Sequence, residues 1–166
     1  MRLYHGSNMA IEQPKLIHQS RGLDFGAGVY LTSSETQARR FSKIVCNRRR
    51  GMAAGVPTVS VYEFDFDATL RKLAVLRFDS ADTDWLHFVL ENRLKSYGGE
   101  LYDVVTGAVA NDDVMPTIQA LMGGFLTEEA ALVALKTKKL VDQFCLKSEA
   151  ALGFLTFVNA YQVEEA

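Results

Sequence analysis

Short apolar runs of strand length alternate with stretches of helical periodicity along the chain, and this alternation most restricts the fold. Apolar and polar residues alternate over residues 58–66, as in a strand with one buried face. The run over 102–109 is rich in β-branched residues, which favour strands. By contrast, the large apolar residues of 85–94 fall mostly on one face of a helix. The sequence therefore predicts a mixed α+β fold.

The remaining elements follow from the same patterns and from capping residues. Ser33 or Ser34 is predicted to cap a helix that extends through Val45. Asp79 or Ser80 is predicted to cap the helix that carries the apolar face. Further helices are predicted at 115–122, 127–137 and 148–155, and strands at 1–6, 29–32, 73–78, 143–146 and 156–163.

Length and composition are those of an ordinary globular domain. A chain of 166 residues buries roughly 70% of the surface that its unfolded form exposes. No repeat, low-complexity tract or linker divides the sequence, so residues 1–166 are predicted to form a single domain. The net charge of −2 gives no general attraction to nucleic acid or to acidic membranes. Binding of a polyanion would have to be local.

Cysteine usage and hydropathy predict the compartment. Cys46 and Cys145 lack the spacing of metal ligands, which predicts reduced thiols and no metal site. The sequence contains no stretch of about 18 consecutive apolar residues. Its first residues do not resemble an export signal. We therefore expect a cytoplasmic protein that does not enter a membrane.

Two signatures near the start place a ring in an extended apolar run beside glycines, which let a ligand approach the backbone. They are residues 3–7, Leu-Tyr-His-Gly-Ser, and residues 24–32, Asp-Phe-Gly-Ala-Gly-Val-Tyr-Leu-Thr. Both resemble the ADP-ribosyltransferase fold, in the branch shared by poly(ADP-ribose) polymerases and diphtheria toxin. The resemblance implies an ADP-ribosyltransferase-like split β-sandwich with flanking helices: two curved sheets with a cleft for NAD between them.

The resemblance also implies roles for the residues that match. His5 would orient the ribose of NAD, and backbone groups of Gly6 would hold the nicotinamide carboxamide, with Ser7 beside them. Tyr30 would form one wall of the nicotinamide slot, where an offset aromatic stack contributes roughly 0.5–1.5 kcal/mol beyond its buried area. Phe41 matches the position of the second aromatic residue in polymerases and would form the other wall. The alternative for both rings is that they fill the core.

The chain departs from the family pattern at the third element, where a glutamate usually opens a late strand. Gln143 aligns there. It can accept a hydrogen bond from a ribose hydroxyl, but it supplies no charge. A unit charge about 4 Å from the developing cation is worth roughly 4 kcal/mol at an effective dielectric of about 20. That corresponds to roughly a thousandfold in rate, so hydrolysis of NAD should be slow.

Other charged residues are weaker candidates. Asp112, Asp113 or Glu149 could supply an acid near the site, although a helix cap is the alternative for the two aspartates. Guanidinium groups suit phosphate oxygens, and a solvent-exposed cluster is the alternative for the arginines. The candidates for the diphosphate of NAD are Arg21, Arg39, Arg40, Arg48, Arg49 and Arg50.

Over most of its length the chain is similar to small bacterial domains of uncharacterised function that are grouped with the ADP-ribosyltransferases. This implies transfer of one ADP-ribose from NAD to a macromolecular acceptor of unknown type, by catalytic residues His5, Tyr30 and Gln143. By analogy with toxin–antitoxin and other conflict systems, it also implies a toxin with a small helical antitoxin partner. Two alternatives stay open: a catalytically inactive module that binds NAD or ADP-ribose, and a nucleic-acid-binding domain that acts through Arg48–Arg50.

Overall fold

Two β-sheets meet along one pair of strands, and helices cover their outer faces. The computed structural model describes residues 1–17, 22–49, 55–109, 114–136 and 140–164. The strands are β1 (Arg2–Ser7), β2 (Val29–Leu31), β3 (Thr58–Phe64), β4 (Val75–Arg77), β5 (Val104–Ala108), β6 (Asp142–Leu146) and β7 (Leu155–Gln162). The helices of the described part are α1 (Glu35–Arg48), α2 (Phe66–Lys72), α3 (Thr83–Leu94), α4 (Met115–Met122), α5 (Glu128–Lys136) and α6 (Glu149–Leu152). The predicted mixed α+β fold is confirmed.

The strand order places the two N-terminal signatures side by side. The first sheet has the antiparallel order β1-β3-β7, and the second has the order β2-β6-β5-β4, in which β4 runs parallel to β5. One bridge joins the edges of the sheets. The Tyr4 and Thr32 backbones exchange two hydrogen bonds of 2.9 and 3.0 Å. β1 and β2 are thus neighbours although their sequences are separated by the 8–28 segment.

Three apolar clusters fix this arrangement. The first lies between the sheets and combines Leu3, Tyr62 and Phe64 with Leu31, Val104, Phe144 and Leu146. The second packs α3, α4 and α5 on the outer face of the β6-β5 pair and is built from Phe25, Trp85, Leu86, Val105, Ile118, Leu135 and Cys145. The third places Ala38 of α1 against Val59 and Val61. Burying each large apolar side chain contributes about 1.5–3 kcal/mol, so burial drives this layering.

Capping side chains set the helix ends, and the structure corrects two predictions. Ser34 caps α1, as expected, by accepting from the Gln37 N–H. However, α3 is capped by Asp82 rather than by Asp79 or Ser80, because Asp82 accepts from Trp85 N–H while the Asp79 carboxylate binds Arg77.

The second correction concerns the chain after β3. The predicted strand over 58–66 ends at Phe64, and the helix α2 that follows was not predicted. Asp65 stops the strand because its carboxylate accepts from the Ala68 N–H at 2.9 Å and caps α2. Phe64 and Phe66 are two residues apart, as apolar side chains on one face of a strand are, so the apolar pattern alone does not indicate the change from strand to helix.

Cys46 and Cys145 are both free and buried. In the part of the chain that the structure describes, the helices are too short or too polar to cross a bilayer.

Candidate functional site

His5 lies where β1 and β2 separate beyond the bridge between the sheets. A continuing antiparallel ladder would bond the Tyr30 carbonyl to the Gly6 N–H. Instead, His5 Nδ1 lies 2.8 Å from that carbonyl oxygen. A carbonyl only accepts, so Nδ1 carries the proton and Nε2 of the neutral ring is an acceptor. The structure therefore joins His5 to the main chain of Tyr30 and fixes the tautomer of the imidazole.

The surroundings of His5 favour its neutral form. Burial lowers the pKa of His5 below the ordinary value of 6.5, and the hydrogen bond to the Tyr30 carbonyl opposes this shift more weakly. At neutral pH the ring is thus uncharged, with an acceptor nitrogen rather than a second donor.

The peptide groups of Gly6 point towards the gap between β1 and β2. The N–H and C=O of Tyr4 both point towards Thr32 and away from β3. Along a strand the peptide groups of successive residues point to opposite edges, so those of every second residue point the same way. Gly6, two residues on, directs its groups the same way. On one face of the sheet, α1 packs directly on the backbone of Gly6. A Cβ at this position would lie 2.9 Å from Ser42 N and even closer to the Ala38 carbonyl oxygen. Ser7 ends the strand, partly buried.

The tip of the Tyr30 ring is enclosed by residues 22–28, which we name the Phe25 loop. The Tyr30 hydroxyl donates to the Gly26 carbonyl at 2.6 Å and accepts from the Phe25 N–H at 3.0 Å. Its ring packs against the cluster that contains Phe25 and Cys145. Burial raises the pKa of Tyr30 well above 10, so the hydroxyl keeps its proton. The side chain of Tyr30 thus holds the loop beside β2.

Close packing fixes the Phe25 loop. Phe25 is fully buried against the rings of Phe78 and Phe88. Gly26 has φ +77°, and a Cβ there would lie 2.6 Å from Asn92 Oδ1. Lys147 Nζ donates to the Phe25 carbonyl, and burial lowers the pKa of this lysine. The motif of residues 24–28 therefore has a visible packing function.

Gln143 lies one strand further from His5, in β6. Leu31 pairs with Phe144, so Gln143 stands opposite Thr32. Its side chain is 6% exposed, and Nε2 donates to Asp24 Oδ2 at 3.3 Å. Asp24, which is 7% exposed, also forms an ion pair with Arg93 at the end of α3.

Sequence reasoning assigned no role to Asp24 or Arg93. The available signal was a carboxylate directly before the apolar Phe25, since a charged residue that is buried with its neighbour needs a partner. The sequence could not identify that partner, because Arg93 lies in α3, 69 residues further along the chain.

Phe41 is 39% exposed on α1. Glu35 and Arg39 occupy the flank of α1 that faces β7, where Tyr161 donates to Glu35 at 2.6 Å and the Arg39 guanidinium lies over the Tyr161 ring. At 3.6 residues per turn Phe41 projects from the opposite flank of α1. Because β7 and β1 are the two edges of this sheet, that flank lies on the side of β1, where the gap between β1 and β2 begins. Among the described residues, the ring contacts do not include a Phe41–Tyr30 pair.

The structure places some of the other charged candidates. Arg48 and Arg49 are exposed at the C-terminal end of α1, while Arg39 is engaged by Glu35 as described. Glu149 is exposed at the start of α6, which follows the end of β6 opposite to Gln143. Four further candidates, Arg21, Arg50, Asp112 and Asp113, lie outside the described residues.

Two surface depressions lie away from these residues. One of about 420 Å³ is lined by Met1, residues 63–67, Phe154 and Thr156, and another of about 380 Å³ by residues 55–57 and 162–164. Neither includes His5, Tyr30 or Gln143. In the described part of the chain, no group of three or more histidine, cysteine, aspartate and glutamate side chains is arranged to hold a metal.

Comparison with known proteins assigns the chain to a family but not to an activity. No curated protein and no solved structure matches it. A family model described as "Protein of unknown function (DUF3990)" matches residues 1–157. Because that match covers nearly the whole sequence, the chain belongs to the DUF3990 family.

Proposed function

We propose that this chain is an NAD-dependent mono-ADP-ribosyltransferase with an ADP-ribosyltransferase-like split β-sandwich. In the proposed reaction the bond between the ribose and nicotinamide breaks, nicotinamide leaves with the electron pair, and a nucleophile of a macromolecular acceptor bonds to the ribose. The observation that carries the proposal is the neutral imidazole of His5 beside the Gly6 peptide, at the junction of two sheets.

The chemistry of this junction suits the nicotinamide riboside half of NAD. A carboxamide needs one donor and one acceptor, and the Gly6 N–H and C=O directed into the gap offer both. A ribose hydroxyl needs an acceptor for its proton, and His5 Nε2 is one. Phe41 projects on this side of α1, where a ring could cover the nicotinamide. These features support the roles proposed for His5, Gly6 and Phe41.

Transfer of a single unit follows from the amide at position 143. Without a carboxylate there, less of the positive charge that develops on the ribose is stabilised, so hydrolysis should be slow and chain elongation is disfavoured. A small helical antitoxin that blocks the site is part of the proposal by analogy alone.

A second candidate function is a module that binds NAD or ADP-ribose without transfer. The hydrogen bond between Gln143 and Asp24 favours it, because it engages the amide nitrogen of Gln143 within the protein and leaves a neutral oxygen, which can bind a hydroxyl but supplies no charge to a transition state.

Isotopically labelled NAD separates the two functions. The wild-type chain is incubated with NAD labelled in its adenosine half, in the presence of cell lysate, and both free nicotinamide and covalent label on macromolecules are measured. Saturable binding of the labelled NAD is measured on the purified chain. Covalent label with release of nicotinamide supports the transferase, whereas saturable binding without label supports the module. Absence of both binding and label contradicts both functions.

The matched variants are His5→Ala and His87→Ala. We expect His5→Ala to abolish label and binding. His87 is exposed and pairs with Glu128 on the outer helices, so its replacement should leave both unchanged. Thermal unfolding of each variant shows whether it is folded.

A further inference from the structure

We propose that Asp24 is a positioning residue that fixes the orientation of the Gln143 amide, so that Gln143 presents its oxygen and not its nitrogen to a ligand. The inference rests on the proposed function, to which it adds a residue and a reason for the glutamine at position 143.

The orientation follows from which groups can donate. The carboxylate of Asp24 pairs with the Arg93 guanidinium and offers only acceptor oxygens. Gln143 reaches Asp24 Oδ2 at 3.3 Å and must therefore do so through Nε2, which donates. Oε1, the other atom of the planar amide, is consequently turned away from Asp24. Turning the amide over would set Oε1 against a carboxylate in a site that is almost fully buried.

Asp24 is itself held on several sides. Phe25, its neighbour, is anchored in the core, and the Arg93 guanidinium binds the carboxylate. Gly22 packs against the main chain of Arg93, where a Cβ would lie 2.7 Å from the Arg93 Cα. The carboxylate cannot move aside without displacing the Phe25 loop. The position of Asp24 therefore determines the orientation of Gln143, and not the reverse.

This geometry accounts for the absence of a glutamate at position 143. A glutamate would bring a second carboxylate into the buried space beside Asp24, where two like charges at hydrogen-bond distance repel each other. A glutamine fits because its amide can donate to Asp24. The oxygen that remains is an acceptor, as is Nε2 of His5, so both side chains select hydroxyl donors and disfavour a phosphate.

A charge-exchange cycle tests the coupling without NAD. Gln143→Glu alone should lower the denaturation midpoint, and adding Asp24→Asn to it should recover at least half of that loss, because the pair again has one carboxylate. Additive effects of the two substitutions would overturn the proposal. If Asp24→Asn does not fold, Gln143→Glu is compared with Gln143→Met, and the proposal requires the glutamate variant to be the less stable.

Solvent exchange of the Gln143 side-chain amide, measured by NMR, tests the same contact directly. In ¹⁵N NMR spectra of the wild type, exchange of the Gln143 side-chain NH₂ with solvent should be slow, and Asp24→Asn should accelerate it at least tenfold. Asp79→Asn is the control, since Asp79 pairs with Arg77 on the surface. An unchanged exchange rate in Asp24→Asn would contradict the assigned orientation.

Binding of NAD then separates this inference from the proposed function. Asp24→Asn should weaken NAD binding at least fivefold while Asp79→Asn leaves it unchanged. If the wild type binds no NAD but the cycle shows coupling, the proposed function fails and the orientation stands. If the wild type binds NAD and the cycle is additive, the orientation fails and the function stands.

Discussion

Gly6 and Ala38 are in contact through their backbones, at the point where α1 crosses β1. A Cβ on Gly6 would meet the Ala38 carbonyl carbon at 3.0 Å and the Ser42 nitrogen at 2.9 Å, and the carbonyl oxygen closer still. Helix and strand approach this closely because the residue between them has no side chain. The same residue directs its peptide groups into the gap beside His5, so a single glycine sets both the position of the helix and the shape of the candidate site.

Gly6→Ala should therefore destabilise the protein. The added methyl meets main-chain atoms of α1, which cannot rotate aside as a side chain could, so we expect a loss of about 3 kcal/mol in the free energy of unfolding. Denaturant unfolding measures it. Gly98→Ala is the control, because among the described atoms nothing lies within 4 Å of a Cβ built there. Equal stability of the two variants would contradict the backbone contact.

The neutral state of His5 predicts a pH dependence of stability. Its folded pKa lies below 6.5, so between the two values the unfolded chain binds the proton and the folded chain does not. Stability should therefore fall as the pH decreases from about 7 through 6.5, and the fall should end at the folded pKa. Subtracting the profile of His5→Gln from that of the wild type isolates this contribution.

In the same experiment, the difference between the wild type and His87→Gln should show the opposite dependence of stability on pH. The hydrogen bond that His87 donates to the Glu128 carboxylate raises the pKa of His87, so its contribution to stability is present below 6.5 and is lost as the pH rises. Because the pair is exposed, the effect should be small. For His5, the contradicting outcome is a pH profile of stability that is the same in His5→Gln as in the wild type, which would show that His5 is not held neutral.

The Phe25 loop should depend on its buried ring. Phe25 is 0% exposed among Phe78 and Phe88, so Phe25→Ala should cost about 3–5 kcal/mol by leaving a cavity. Phe125, which is 88% exposed between α4 and α5, is the matched control. Its replacement by alanine should change the free energy of unfolding by no more than about 0.5 kcal/mol. Similar losses in both variants, measured by denaturant unfolding, would contradict the anchoring role of Phe25.

The elements of this fold could largely be predicted from local patterns. The strand over 29–32 and the helix over 115–122 agree closely with β2 and α4, because apolar periodicity and a capping or turn residue indicate the same element there. The helix α2 could not be predicted from the same rules. Phe64 and Phe66 continue a strand pattern, and only the cap formed by Asp65 shows that the chain turns.

The candidate site could be predicted only in part. The glycine-flanked rings of His5 and Tyr30 mark two strands that the fold makes neighbours, although the ring of His5 bonds the Tyr30 main chain rather than facing its phenol. The contact between Asp24 and Gln143 joins residues 119 positions apart. It depends on the register between β2 and β6 and on the path of the Phe25 loop, which no local pattern specifies.

Tyr30→Phe separates the contribution of the Tyr30 hydroxyl from that of its ring. The substitution keeps the ring but leaves the Gly26 carbonyl and the Phe25 N–H without their partner, in a site that water reaches poorly. Leaving buried polar groups unpaired costs about 1–3 kcal/mol, and we expect a loss of that size. Tyr102→Phe, which removes a hydroxyl bonded to the exposed Glu100 carboxylate, should cost no more than about 0.5 kcal/mol.

Amide hydrogen exchange locates the effect of Tyr30→Phe in the structure. In this variant the Phe25 N–H should exchange faster than in the wild type, while the amides of β3 change only by the global loss of stability. If the Phe25 amide keeps its wild-type protection, the hydroxyl does not hold the loop, and packing of Phe25 alone must do so.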